Sequence, residues 1–211
     1  MKMNKKIELI ISMLEDLYPD AKCSLLYEKP YELLFATRLS AQCTDSRVNI
    51  VTKVLFEKYK NLEDYAKANI KDLEEIVKSC GFYKTKAQNI KDCALILLSE
   101  YGGELPDSIE NLTKLPGIGR KTANLIMGDI FGKPAVVTDT HCIRICGRLG
   151  LTKNKDPHKV EIDLRKILPP EKSSDFCHRL VMFGREYCRA RNPRCNMCPL
   201  QDDICANPVV V

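Results

Sequence analysis

The sequence predicts an all-α protein of about ten helices, because apolar residues recur at three- and four-residue spacing along nearly the whole chain. No stretch alternates convincingly with period two, and the apolar runs begin at capping residues and stop at Gly or Pro.

Taken in order, Ile7, Ile10, Ile11, Leu14 and Leu17 make one stripe, ended by Pro19. Pro30 precedes a second run, "YELLFATRLSAQ". Thr44 and Asp45 can cap a third helix, with Val48, Val51, Leu55 and Tyr59 on one face. Asn69 opens a helix that turns Leu73, Ile76, Val77 and Cys80 inward and stops at Gly81. The next carries Ile90, Ala94, Leu97, Leu98 and Tyr101 and ends at Gly102-Gly103. A short helix near Ser108–Lys114 leads into "LPGIGRKTAN", after which Ala123, Ile126, Met127 and Ile130 continue at helical spacing to Gly132. Thr138 or Asp139 can open a further helix, with Ile143 and Cys146 inward and Gly150 as its stop. Asp156-Pro157 reads as an N-cap with a first-turn proline, for a helix reaching Pro169-Pro170. The last helix, about Ser173 to Tyr187, runs into a cysteine cluster. "GKPAVV" is the best candidate for a hinge between two helical lobes.

The chain has 211 residues, 45% of them hydrophobic, which suffices for one large core or two small ones. A net charge of +5 is compatible with a polyanionic partner without specifying one. Glu8, Glu15 and Asp16 break the N-terminal apolar run, so it reads as neither a signal peptide nor a membrane span. The expectation is a soluble cytoplasmic protein, nucleoid-associated in a bacterial cell, that acts as a monomer without a membrane partner. The 11 cysteines are then free thiols or metal ligands rather than disulfides. Cys80, Cys93, Cys142, Cys146 and Cys177 fall mostly on apolar helix faces and suit core packing.

Cys188, Cys195, Cys198 and Cys205 stand six, two and six residues apart in "CRARNPRCNMCPLQDDIC". A loop this short cannot form its own core, so metal bonds would order it. Zinc usually takes two short Cys pairs, and only one is present. A [4Fe–4S] cluster fits the wider outer spacing better, with zinc and unliganded thiols as the alternatives.

In "LPGIG", Gly117 and Gly119 allow left-handed backbone and close approach of another backbone. The amides of the turn and of the following helix start make an anion site, and with Lys114 and Arg120 it suits a phosphodiester strand gripped without reading sequence. An ordinary Gly-Pro helix connection is the alternative. Lys121 is either a solvated charge or a nucleophile; the helix start and Arg120 both favour its neutral amine, which could form a Schiff base with an aldehyde-like carbon. Asp139, in "VVTDTHCIR", reads on its own as a helix N-cap.

Together, "LLFATRLSAQCTDSRVN", "GFYKTKAQNI", "LPGIGRKTAN", "VTDTHCIRICGRLG" and the cysteine loop resemble the endonuclease III family of helix-hairpin-helix DNA repair glycosylases, over nearly the whole chain. The resemblance implies a six-helix barrel over residues 22–135, with its helix-hairpin-helix near 108–131. It also implies a second lobe, from residues 1–21 and 136–211, holding the [4Fe–4S] cluster, with DNA lying across the groove between them. It implies excision of oxidised pyrimidines from double-stranded DNA and strand cleavage at the abasic site by β-elimination. The implied partner is thus double-stranded DNA carrying damaged pyrimidines or abasic sites. By position, Lys121 matches the catalytic lysine and Asp139 the catalytic aspartate. Gln42 matches the residue that fills the gap left by the extruded base, and Phe82 the wedge, where leucine is common in the family. Leu115, Gly117, Gly119 and Arg120 match the DNA-binding hairpin; Asp45 and His141 match positions close to the pocket. The loop departs from the family by one extra residue between Cys198 and Cys205. Arg189, Arg191 and Arg194 would face DNA from it.

Three other readings compete. A monofunctional mismatch glycosylase of the same superfamily would lack lysine at position 121. A non-catalytic hairpin module would not require both Lys121 and Asp139. An iron–sulfur electron carrier leaves most of the chain unexplained.

Overall fold

The computed structural model describes residues 2–200 and 204–207. Among them are eleven α-helices, three short 3-10 turns and no strand. The chain divides into two compact units, Cys23–Phe131 and Met1–Lys22 with Gly132–Val211. No helix among the described residues is long and apolar enough to cross a membrane.

The first helix, α1 (Met3–Leu17), belongs to the second of these units. The central unit begins with α2 (Pro30–Ser40), whose residues Glu32 to Thr37 are all buried, as is Leu39. A helix apolar on most of its circumference must be surrounded by others. Around it run α3 (Asp45–Lys58), α4 (Leu62–Lys67), α5 (Ile70–Val77) and α6 (Tyr83–Glu100), followed by α7 (Ile109–Leu112) and α8 (Arg120–Asp129). Leu33, Leu34, Val48, Leu55, Leu73, Ala94 and Leu97 are fully buried between them. Phe35 and Tyr65 meet edge to face with ring centroids 4.9 Å apart, and Tyr59 lies 5.1 Å from Tyr65. The entry to α2 is set by Glu32, whose carboxylate accepts from the amides of Glu28 and Lys29 at 2.8 and 3.0 Å.

The short helix α4 is absent from the sequence reading. Six residues do not complete two turns, too few to display a period. Its Asn61 cap, which accepts from the Asp64 amide at 2.9 Å, was its one local signal. The helix expected at Asn69–Cys80 tightens instead into a 3-10 turn over Lys78–Cys80 before Gly81.

In the other unit, α1 buries Ile7, Ile10, Ile11 and Leu14. It is joined by α9 (Thr140–Arg148), α10 (Pro157–Ile167) and α11 (Ser173–Glu186). α1 packs against α10 and α11, and α11 against α9. Glu15 on α1 pairs with Lys172 at 3.0 Å, and Arg179 on α11 donates to the Tyr18 carbonyl at 3.2 Å. Gly184 of α11 lies so close to α9 that a Cβ there would strike His141 and come within 2.9 Å of Arg144 and Ile145. Cys142, Cys146 and Cys177 are buried at this junction, as core-packing thiols should be.

Candidate active site

The hairpin is built in the central unit. Ser108 caps α7 through the Asn111 amide at 3.2 Å. The chain then turns, with Leu115 N–H donating to the Leu112 carbonyl at 3.2 Å and Ile118 N–H to the Leu115 carbonyl at 3.1 Å. Leu115 and Ile118 are 2% and 5% exposed and plug the turn into the core. Leu115 therefore anchors the hairpin from beneath, with its amide already engaged. Gly117 has φ 74° and rests directly on Arg38 and Asn89, leaving no room for a Cβ. Arg38 Nε donates to Asn89 Oδ1 at 2.9 Å, and the Cys93 thiol donates to the Pro116 carbonyl at 3.4 Å. The hairpin thus sits on a polar shelf supplied by α2 and α6.

Gly119 behaves differently from the sequence expectation. Its backbone is extended, φ −96° and ψ 173°, and a Cβ there would meet nothing within 4 Å. Its contribution is instead to be an N-cap without a side chain, so no side chain caps the amides at the start of α8. Arg120 and Lys121 are the first two residues of that helix and both are exposed. Among the described residues no side-chain hydrogen bond or ion pair holds the Lys121 amine, which is open to a reactant.

Gln42 and Phe82 share an unusual backbone. Gln42 has φ 56° and Phe82 has φ 46°, both left-handed and neither glycine. Such positions are uncommon and strained for large side chains. Gln42 is exposed, and Phe82 is 68% exposed despite being an aromatic residue. Gln42 follows the end of α2, and Phe82 is the N-cap of α6. The residue that joins their turns is Lys86, 1% exposed. Its Nζ donates to the carbonyls of Leu39, Ala41 and Cys80 at 2.8, 2.7 and 2.8 Å. Burial holds the Lys86 amine below its ordinary range, partly offset by the Cys80 and Cys43 thiols beside it. Burial likewise pushes the Cys80 thiol up to about 11, with the neighbouring Cys43 thiol acting in the same direction. Asp45, the first residue of α3, accepts from Ser24 Oγ at 2.6 Å.

In the other unit, Asp139 is the N-cap of α9 and accepts from the Cys142 amide at 2.7 Å. It is half-buried. His141 lies one turn from Arg144, whose Nη2 is 3.1 Å from His141 Nδ1. Arg144 also donates to the Cys188 carbonyl through Nε at 3.2 Å and Nη2 at 3.1 Å. One turn later, Arg148 donates to Cys188 Sγ at 3.3 Å and to the Arg189 carbonyl at 2.7 Å. From its C-terminal end, α9 accepts in turn from Asn207 N–H at the Arg148 carbonyl, 3.0 Å away. Helix α9 therefore carries Asp139 at one end and holds the cysteine loop near the other.

All four loop cysteines are half-buried free thiols. Burial pushes Cys198 up to about 11, and the neighbouring Cys188, Cys205 and Cys195 push in the same direction. Cys205 is raised by burial, with Cys188 and Cys195 again contributing. Cys198 and Cys205 thus both lie within the influence of the other loop sulfurs. Yet no group of three or more His, Cys, Asp or Glu among the described residues is arranged to hold a single metal ion. Residues 201–203, within the Cys198–Cys205 segment expected to hold one residue more than in the family, lie outside the described residues.

The sequence singles out Lys121, Asp139 and the four cysteines as candidates but passes over the residues beneath the hairpin and the Gln42 and Phe82 turns. Arg38, Asn89 and Lys86 lie inside the quoted motifs without having been singled out. Lys86 carried a readable signal: it falls four residues before Ile90, in register with the buried stripe of α6.

Residues 35–170 match the model of the HhH-GPD superfamily of base excision DNA repair proteins. The endonuclease III of Bacillus subtilis is 46% identical over 197 residues, covering 93% of this chain and 90% of that protein. A non-covalent endonuclease III–DNA complex superposes with a TM-score of 0.92 at 42% identity, covering 99% of this chain and 97% of the other. A trapped endonuclease III–DNA covalent intermediate, an estranged-adenine complex, gives the same TM-score and identity with coverage of 99% and 98%.

Proposed function

We infer that this chain, which belongs to the endonuclease III family of HhH-GPD base excision DNA repair proteins, is a bifunctional DNA glycosylase and AP lyase acting on double-stranded DNA. Its substrates are oxidised pyrimidines and the abasic sites left by their removal. The observation that carries the reading is Lys121: an exposed, unheld amine in the first turn of α8, directly after a hairpin whose amides have no side-chain cap. A covalent enzyme–DNA intermediate, such as the one trapped for the related endonuclease III, requires a nucleophile of this kind.

The steps assign one role to each group. The hairpin and the start of α8 take a backbone phosphate, whose charge the helix N-terminus favours. The neutral Lys121 amine attacks C1′ of the damaged nucleotide; the glycosidic bond breaks and its electron pair leaves with the base. Opening of the sugar gives the Schiff base. Loss of a C2′ proton then expels the 3′ phosphate by β-elimination, and water releases the lysine. Asp139 accepts the lysine's proton or stabilises positive charge developing at the sugar. Gln42 fills the space of the extruded base and Phe82 wedges beside it, offsetting an unstacking cost of a few kcal/mol. Asp45 and His141 are assigned to the pocket's margin. The working compartment is the cytoplasm, at the nucleoid in a bacterial cell.

Cys188, Cys195, Cys198 and Cys205 are the proposed ligands of a [4Fe–4S] cluster. The donor set fits: four half-buried free thiols on one short loop, with the other loop sulfurs raising Cys198 and Cys205. When bound, the cluster supplies four bonds that order the loop carrying Arg189, Arg191 and Arg194; the bond-breaking steps do not pass through it.

The deciding experiment is borohydride trapping on abasic-site duplex. Wild type should form a covalent adduct and Lys121→Ala none, with folding intact. Undiminished trapping by the variant would move the nucleophile elsewhere.

A further inference from the structure

The buried Lys86 ammonium has no part in the steps above, yet every one of its three N–H donors is used. Its acceptors are not distributed at random. Leu39 and Ala41 bracket the end of α2, immediately before Gln42; Cys80 closes the 3-10 turn, immediately before Gly81 and Phe82. These carbonyls lie at helix ends, where no backbone donor remains for them. A buried charge is retained only where its hydrogen bonds are complete.

We propose that Lys86 is a positioning residue for base extrusion: its ammonium ties the Gln42 turn to the Phe82 turn, so that both side chains are presented to the duplex as one unit. One further observation supports it. Gln42 and Phe82 both hold left-handed backbone with exposed side chains, a conformation that needs enforcement from its surroundings. A lysine needed only to fill the core could be replaced by an apolar chain of its length. The structure instead spends its three donors on two loops that are far apart in sequence.

The proposal rests on the assignment of Gln42 and Phe82 to the extruded-base gap, and the test separates the two. Lys86→Met removes the ammonium and keeps the chain length; Gln42→Ala and Phe82→Ala test the assignment itself. All variants are full-length protein carrying its iron, checked by visible absorbance and thermal melt. Three readouts are compared. They are excision from a thymine-glycol duplex, fluorescence of 2-aminopurine placed opposite the lesion, and borohydride trapping on a single-stranded abasic oligonucleotide, which needs no extrusion.

Lys86→Met should lose at least about tenfold in duplex excision and most of the fluorescence rise, because unstacking is no longer offset. Single-strand trapping should stay within about twofold of wild type, since chemistry at Lys121 is unaffected. Adding Phe82→Ala to Lys86→Met should cost little more than either change alone, the signature of residues acting through one another. If Lys86→Met does not fold, Lys86→Gln, which keeps two donors, carries the same comparison. Loss from Phe82→Ala and Gln42→Ala with wild-type excision by the Lys86 variant would overturn the positioning role and leave the assignment standing. Silent Phe82→Ala and Gln42→Ala would overturn the assignment and the proposal with it. Equal loss on duplex and single strand would reduce Lys86 to a structural residue and overturn the proposal alone.

Discussion

Arg38 donates through Nε to Asn89 Oδ1 at 2.9 Å, and Gly117 lies directly on this pair. The hairpin that is to meet DNA is therefore seated on two polar side chains from other helices. Gly117→Ala places a methyl group where that pair stands, at a φ of 74°. It should destabilise by about 1–3 kcal/mol, through strain and displacement together. DNA affinity should fall with it. Gly119→Ala has open space and extended backbone, so its melting temperature should stay near wild type while duplex binding weakens from a methyl group on the phosphate side. A melt and a binding isotherm for each variant check this; equal melting temperatures for both would refute the seating.

Asp139 caps α9 as well as being the proposed catalytic carboxylate, and the two duties can be separated. Asparagine caps a helix about as well as aspartate. Asp139→Asn should therefore melt near wild type while excision falls about 10²–10⁴-fold, the usual range for loss of a proton-transfer group. Asp139→Ala should add a capping loss of about 1 kcal/mol to the same kinetic defect. Single-turnover excision and thermal melts on both variants are the measurement, and wild-type turnover by Asp139→Asn would leave only the cap.

Arg148 donates to the Cys188 sulfur and to the carbonyl of Arg189, so it holds the first turn of the cysteine loop from α9. Outer partners of this kind typically carry about 10–100-fold in metal affinity. Arg148→Met should lose visible absorbance faster than wild type when iron chelator is added, with all four cysteines still present. A colourless wild-type protein with stoichiometric zinc would refute the iron assignment outright.

The parts of this molecule that repeat or cap were readable in the sequence. Helices α3, α5, α9 and α10 begin at Thr44, Asn69, Asp139 and Asp156, each among the expected caps, because a cap is a local hydrogen bond between neighbours in sequence. The proposed chemistry-bearing residues come from motif resemblance. What remained hidden was long-range support. Nothing local says that Arg38 would meet Asn89, or that a lysine would be buried among carbonyls 6 to 47 residues away. Gly117 and Gly119 looked equivalent in "LPGIG", yet only the first has left-handed backbone. Their difference comes from what each turn rests on, which spacing does not record.

The left-handed turns at Gln42 and Phe82 also bear on how this protein can be improved in the laboratory. Glycine adopts such backbone without strain, so Gln42→Gly and Phe82→Gly stand among the changes a screen for thermal stability alone would favour. Each would discard a side chain assigned to the duplex. Directed evolution towards heat resistance therefore needs a repair readout from its first round, or it will enrich for sturdier proteins that no longer open DNA.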